Sequence, residues 1–523
     1  MVSPAPGVPA SSRPITRPAT PWWMYVVGVL GAVAVGVAAA FPKAFVAVLI
    51  LGLVAVLLVG AVRNPWIALA VIIAQYPVMN TLRTIYTAHH LPVFAGGVRF
   101  FPDFLQMIIL AQLLIWGIKN PRYRLKIYGD DLPVALYVIV GIYSVVVAAQ
   151  YTHPYGPFNG WYVSMTPAIF YLVIRWLQPT HEQGMWFFRW MTRCYGVLMC
   201  LSLPVYFIRP DWYKVLQNAE HPHFVPPGMT PMAFWGFYPR MQAFFFEENH
   251  WGTLSELVAV LGAAYLMRSD VLLKRYVFVL LATLGMVCSI SRGAMISFVI
   301  AIAILLLFRG AHRKRIAAVL AVSAVVGVAG LYAMRDSPLV TVTFDRLETV
   351  SANAAKKGEV ANDRTHQWKA GWKVFLETPS GKGLGTVGNG ASLSKVTPFL
   401  VGDGVYVRVL AEQGVPGILA FAYLIISIPW ILWRYRDIAP VEWRPLGIGL
   451  FAFHFGFCIH GIGANTFDYY CVAPVYFMLV GLYVSAAHRQ LRENRARAAV
   501  SPAVSVSGDA KMLEAFDVGN QRH

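Results

Sequence analysis

Apolar runs of roughly 17–20 residues recur along this chain, each long enough to cross a hydrocarbon core of about 30 Å as a helix. A backbone in hydrocarbon has no water to bond, so segments this apolar must be helical. About fourteen such spans are expected, near 22–41, 44–62, 66–79, 104–118, 132–149, 161–177, 185–207, 251–267, 276–290, 294–308, 316–334, 415–433, 446–463 and 469–487. Of 523 residues, 57% are hydrophobic and 13% charged, whereas a soluble protein carries about a quarter charged. The expected fold class is an all-α polytopic membrane protein with a large, outward-facing, partly helical loop before the twelfth span.

Lysine and arginine set the orientation. Arg13 and Arg17 precede the first span, and further clusters occupy 119–126, 268–275, 309–315, 434–436 and 489–497. All fall on one side of the membrane if about fourteen crossings are counted, and that side reads as cytoplasmic. One span more or fewer would flip every later cluster. Both termini are then expected in the cytoplasm. The net charge of +18 follows from topology and gives no support for nucleic-acid binding. The expected organisation is a disordered tail at 1–21, spans one to eleven over 22–334 with an outer loop at about 208–250, a large periplasmic catalytic loop at 335–414, three spans over 415–487, and a basic disordered tail at 488–523. No cleaved signal peptide is expected. The five cysteines lie inside apolar runs without disulfide or zinc spacing and read as small core residues.

The outer face carries arginines where positive charge is normally depleted: Arg83, Arg99, Arg240, Arg292, Arg335, Arg346, Arg364 and Arg408. Guanidinium forks bind phosphate oxygens bidentately and stay charged, so a polyphosphate ligand is the simplest reason for them. Arg292, between two apolar runs, would cost about 2.5–3.5 kcal/mol inside the membrane; it also reads as an ordinary surface turn residue. Arg240, Arg364 and Arg408 each read alone as solvated loop charges. Only their joint occurrence points to an anion. Glu247, Glu248 and His250 are acid/base candidates that would align an acceptor hydroxyl, or simply the polar end of a loop. The aromatic residues between Trp212 and Phe246 suit sugar stacking, polyprenyl contact or the membrane interface. Asp103 and Asp468, at membrane edges, are expected to pair structurally with an outer arginine.

Three alternatives are weakened by spacing. Glu220, His221 and His223 lack a fourth ligand for zinc. Gly383, Gly385 and Gly388 spell a dinucleotide fingerprint, but no strand precedes them; they read as a tight turn whose bare amides approach an anion. No Asp-x-Asp pair is present, which speaks against a metal-held nucleotide sugar.

The turn Ser291-Arg292-Gly293-Ala294 resembles its counterpart in the O-antigen polymerase and O-antigen ligase superfamily of membrane glycosyltransferases. So do Arg364, Trp368 and Ala370, followed by Pro379, Gly381, Gly383 and Gly385, and then Asp403 to Tyr406 running through Glu412 to Gly417. Arg240 through His250 fits the shorter outer loop of that family. The resemblance implies a metal-independent, inverting transferase that needs no cofactor and uses glycan linked to undecaprenyl pyrophosphate. It places the two essential arginines at Arg292 and Arg364, with Asp403 as candidate catalytic base. Candidate substrate-binding residues are Arg240, Glu247, Glu248, His250, Trp368, Gly383, Gly385 and Tyr406. Ligases of the family usually carry histidine and asparagine where this chain has Asp403 and Gly404, which favours a polymerase. Asp403 also reads as the cap of a helix over 404–413, a compatible role.

The expected activity is therefore a polysaccharide polymerase in the bacterial cytoplasmic membrane, with its site facing the periplasm and with the bilayer, lipid-linked glycan and acceptor glycan as partners. A chain-length regulator and a flippase would work beside it. An O-antigen ligase is the alternative within the family. A transporter or lipid-glycan flippase is the alternative of another class, disfavoured because no pair of Gly/Pro-broken helices occupies matching halves.

Overall fold

The computed structural model describes residues 59–88, 101–119, 127–151, 155–208, 241, 248–266, 273–308, 361–387 and 404–500. No strand occurs among the described residues. The α-helices are α1 (Pro65–Ala88), α2 (Phe101–Lys119), α3 (Leu132–Ala148), α4 (Tyr155–Leu177), α5 (His181–Ile208), α6 (Glu248–Tyr265), α7 (Leu273–Cys288), α8 (Arg292–Leu307), α9 (Ala361–Glu377), α10 (Val405–Arg434), α11 (Arg444–His460) and α12 (Ala473–Val500). Short 3-10 turns at Gly129–Asp131 and Thr466–Asp468 precede α3 and α12. Helices therefore stand at the third to tenth and the last three expected spans; the first and eleventh, and nearly all of the second, lie outside the described residues. This registers helices rather than crossings. Gly129–Ala148 and Val405–Arg434 are long and apolar enough to cross a membrane. Shorter apolar helices occupy Pro65–Tyr76, Leu105–Lys119, Arg275–Cys288 and Arg292–Leu307.

The chain divides into two units, Met1–Val71 and Ile72–His523. In the first, Asn64 accepts the Trp66 amide at 3.0 Å and Pro65 opens α1, the residue types expected at a helix start. In the second, α12 is buried on every side from Ala473 to Ala487, as an apolar helix is when neighbours enclose it. It packs on α4 and α11, α3 lies between α4 and α10, and α6 packs with α7, α8 and α11.

The loop and the spans are joined by a buried ionic cluster. Arg408 is 5% exposed and bonds Asp468 through both terminal nitrogens, Nη2 at 2.6 Å from Oδ1. Its Nη1 also donates to Ser164 of α4 at 3.0 Å and lies 3.8 Å from Glu412. The expectation that Asp468 pairs with an outer arginine holds. The reading of Arg408 as a solvated loop charge is corrected, because its partner stands 60 residues along the chain.

Two further differences concern helix ends. α10 begins at Val405, with Gly404 as its first flanking residue, and breaks at Gly414 (φ 62°, ψ −152°). There the Val415 amide donates to Pro379 at 2.9 Å, and Pro416 has no amide to continue the ladder. This break coincides with the expected entry of the twelfth span. At the other end, α12 runs to Val500, so disorder from 488 onward does not hold for 488–500. Arginine, glutamine and alanine are good helix formers, and Gln490 donates to Asn494 one turn on, at 3.0 Å.

A second polar clasp lies near the C-terminal end of α4. Arg175 meets Asp131 at 2.7 Å and Ser485 at 3.2 Å, while His488 contacts Asp130 at 2.7 Å. It ties the start of α3 to α4 and α12.

Replacing Arg408 leaves two buried carboxylates short of their cation, a change worth about 3–5 kcal/mol when one partner of a buried pair is removed. Arg408→Met should lower the thermal midpoint of the detergent-purified protein, and the double variant R408M/D468L should recover part of the loss. A single variant as stable as wild type would contradict the pairing.

Candidate active site

The turn before α8 is under backbone strain. Ile290 has φ 52°, a left-handed conformation that a β-branched residue rarely adopts. Neighbouring bonds hold it: Ser289 donates to the Met286 carbonyl at 2.6 Å, and the Ser291 amide donates to Ser289 Oγ at 3.2 Å. Ser291 then starts the helix, its carbonyl accepting from Met295 at 3.0 Å. Arg292 is the first helical residue and half-buried. A cation at a helix N-terminus opposes the helix dipole by about 0.3–1 kcal/mol. An anion there meets both the guanidinium and the open amides of the first turn.

Three other segments converge on this turn. From α6, Asn249 accepts the Ser291 hydroxyl at 3.0 Å. From α11, the last helical residue, His460, lies with its ring against Gly293, where a Cβ would come within 2.2 Å of Nε2 and Cδ2. Thr253 Oγ1 is 3.4 Å from His460 Nδ1. Ahead of α12, Tyr469 packs edge-on against both His460 and His250, with ring centroids 6.1 and 4.2 Å apart. His250, just ahead of the expected span at 251, is buried between Tyr469 and Tyr470. Burial pushes its imidazole down to about 3, so it is neutral at physiological pH and serves as a polar neighbour, not a cationic clamp.

The expected site residues divide by position. Arg364 lies in the first turn of α9, and Trp368 follows four residues later. The Trp368 ring lies beside Gly404, where a Cβ would meet Nε1 at 3.4 Å and the Ile462 carbonyl at 3.0 Å. Ile462 follows His460 by two residues, and the Val405 amide donates to the Gly461 carbonyl at 3.0 Å. The His460–Ile462 segment thus touches the Arg292 turn on one side and the Trp368–Gly404 contact on the other. Arg240, Glu247 and Asp403 lie outside the described residues, and Glu248 is described only as the first residue of α6.

Gly383, Gly385 and Tyr406 have partners within the fold. The Gly385 amide donates to Glu412 Oε1 at 2.9 Å, and the Val387 amide reaches the same oxygen at 3.3 Å. The anion met by the glycine turn is therefore the chain's own carboxylate. Gly383 abuts Ala148, and its amide donates to the Glu412 carbonyl at 2.7 Å. The Tyr406 hydroxyl donates to the Cys458 carbonyl at 2.7 Å. His460, Thr253, Asn249 and Tyr469 were missed in the sequence. A histidine near the end of an apolar run was a visible signal, but nothing in its spacing tied it to Arg292.

Residues 277–422 match the family model described as O-antigen ligase. The match supports the resemblance of this segment to the O-antigen polymerase and ligase superfamily. No curated protein matches the chain. The superfamily segment spans Arg292, Arg364, the glycine turn and the Arg408–Glu412 pair, whereas His460 and Asp468 lie beyond it.

Gly385 has φ +77°, and a Cβ there would lie 1.9 Å from the Gly156 carbonyl oxygen. Gly385→Ala should lose at least about 1–2 kcal/mol from left-handed strain alone, seen as a lower midpoint of thermal unfolding. An unchanged midpoint would show that this turn does not pack on α4.

Proposed function

We propose that this chain is a polysaccharide polymerase of O-antigen or exopolysaccharide type. It transfers a glycan from undecaprenyl pyrophosphate to an acceptor sugar hydroxyl at the outer face of the cytoplasmic membrane, without a metal and with inversion. The observation that carries this reading is the position of Arg292: a cation at a strained helix start, inside the segment matching the O-antigen ligase model.

In this mechanism Arg292 and Arg364, with Arg240, hold the pyrophosphate. The acceptor oxygen attacks the anomeric carbon from the face opposite the leaving group. The bond to the pyrophosphate breaks with its electron pair retained on phosphate, and the acceptor proton passes to a base. Negative charge grows on the departing phosphate, and preorganised cations in a site screened from water stabilise it most at that moment. Trp368, half-exposed on α9, offers a ring for sugar stacking. Asp403 with Gly404 favours a polymerase. The description of the matched family favours a ligase as the second reading.

Purified full-length protein, given defined lipid-linked repeats in detergent, should yield longer glycans by size analysis. Arg292→Lys and Arg364→Lys should each lower the rate about 10²–10³-fold while still inserting and accumulating, because lysine cannot form the bidentate fork. Full activity in both variants would defeat the assignment. A product attached only to lipid A core would select the ligase. Absence of any covalent product would favour a transporter or flippase.

Turnover should also persist in excess chelator, since the proposed clamp uses guanidinium charge. Loss of activity restored by added magnesium or manganese would count against it.

A further inference from the structure

α9 meets the rest of the described chain mainly through one side, where Ala370 and Val374 pack on Val407 and Ala411 of α10. Trp372 stands two residues from each of them, about 160–200° round the helix. Trp372 and Leu376 are 54% and 62% exposed, one turn apart on that opposite face. The Phe375 ring lies 5.4 Å from the Trp372 ring. Lys369 and Lys373 flank the pair, both exposed and without an ion pair among the described residues. Glu377, the nearest carboxylate in sequence, stands 4.0 Å from Lys382 instead. An apolar stripe beside a lysine stripe suits a surface that is oily and anionic at once.

The fold sets the height of this face. The Val415 amide donates to the Pro379 carbonyl at 2.9 Å, so the end of α9 stands where the expected span of α10 begins. The turn that follows reaches the adjoining ends of two more expected spans. Gly383 abuts Ala148, the last residue of α3, and Gly385 abuts Gly156 near the start of α4. Leu376 is the residue before the end of α9, and Trp372 lies one turn, about 6 Å, back along the axis. Both therefore stand at the edge of the apolar slab, the zone where tryptophan collects and lysine meets lipid phosphate.

We propose that the Trp372–Leu376 face of α9 docks in the interfacial zone of the bilayer. Those two side chains enter the boundary between headgroups and acyl chains, and Lys369 and Lys373 lie at the level of the lipid phosphates. The partner is anionic phospholipid in the leaflet that α10 enters at Val415. This rests on α10 crossing the bilayer and is independent of the chemistry proposed above. A helix facing water would carry polar residues at 372 and 376, and lysine on the flank selects a negative surface. Arg364 opens the same helix eight residues before Trp372, about 12 Å along the axis. The docked face thus fixes the height of that arginine's backbone over the lipid surface.

The test places full-length protein in nanodiscs of phosphatidylcholine, with or without phosphatidylglycerol, and attaches a nitroxide to one added cysteine. The signal of identically treated wild type, which has five cysteines, is subtracted. At Leu376→Cys and Trp372→Cys the label should be reached by oxygen and shielded from an aqueous nickel chelate. The reference is R495C, on the exposed end of α12. Phosphatidylglycerol should deepen the shielding, and K369Q/K373Q should lose that increment. Nickel access at 372 and 376 equal to that at 495 overturns the proposal. So does a label shielded from nickel and oxygen alike, which means that protein covers the face. An increment that is absent, or that survives K369Q/K373Q, overturns the anionic partner. Ile426→Cys, at an exposed position in the expected span of α10, separates the two kinds of failure. Nickel access there removes the crossing itself, whereas a shielded 426 with a wet 376 defeats the docking alone.

Discussion

One buried guanidinium holds together several distant segments of this chain. Arg408 bonds Asp468, reaches Ser164 and stands beside Glu412, so a single side chain in α10 links the 3-10 turn before α12, the middle of α4 and the glycine turn. Two carboxylates against one cation would leave excess negative charge in a dry interior. The surplus is met by backbone: the amides of Gly385 and Val387 converge on Glu412 Oε1. The arrangement couples the loop to the spans in both directions. The turn keeps its shape because a carboxyl group fills it; burial pushes that carboxyl up to about 7, and Arg408 and the turn's amides oppose the shift. α9, which carries Arg364, packs directly on α10 through Ala370 and Val374 against Val407 and Ala411, and the glycine turn follows it.

Much of the helical framework was legible because the membrane permits few alternatives. Period and length of the apolar runs suffice when an unbonded backbone is prohibitive. The break at Gly414 was also readable, since glycine tolerates a left-handed backbone and Pro416 has no amide for the ladder. Pairings across long sequence distance were less accessible. Asp468 was suspected of meeting an arginine, yet nothing local selected Arg408 over the other outer arginines. The glycine turn was readable as an anion cradle from its bare amides, but the identity of the anion depended on folding Glu412 back onto it. The continuation of α12 past 488 was obscured by charge: a basic, alanine-rich tail satisfies the composition of disorder and of an extended helix alike.

The Arg292 turn shows a different logic. Ile290 in a left-handed conformation costs on the order of 1–3 kcal/mol, and a cation at the start of α8 adds to that cost. Neither feature helps the fold locally. Packing offsets them: Ser289 bonds back to α7, Ser291 is tied to Asn249, and His460 covers Gly293. A strained turn held on several sides keeps its arginine in one place, which is what a charge clamp needs if it is to act without reorganising during the reaction.

The segment that matches the O-antigen ligase model does not contain every group packed around Arg292. Arg292 and Arg364 lie on α8 and α9, within residues 277–422. The imidazole that meets Gly293 comes from the end of α11, and Thr253 of α6 stands 3.4 Å from its Nδ1. The Arg292 turn is therefore fixed by α6 and α11 as well as by its own helix, and its close contact with α11 requires a residue without a side chain directly after the arginine. The position of the arginine is thus set by packing between helices that are far apart in the chain, and it is reached only when α6, α8 and α11 have come together.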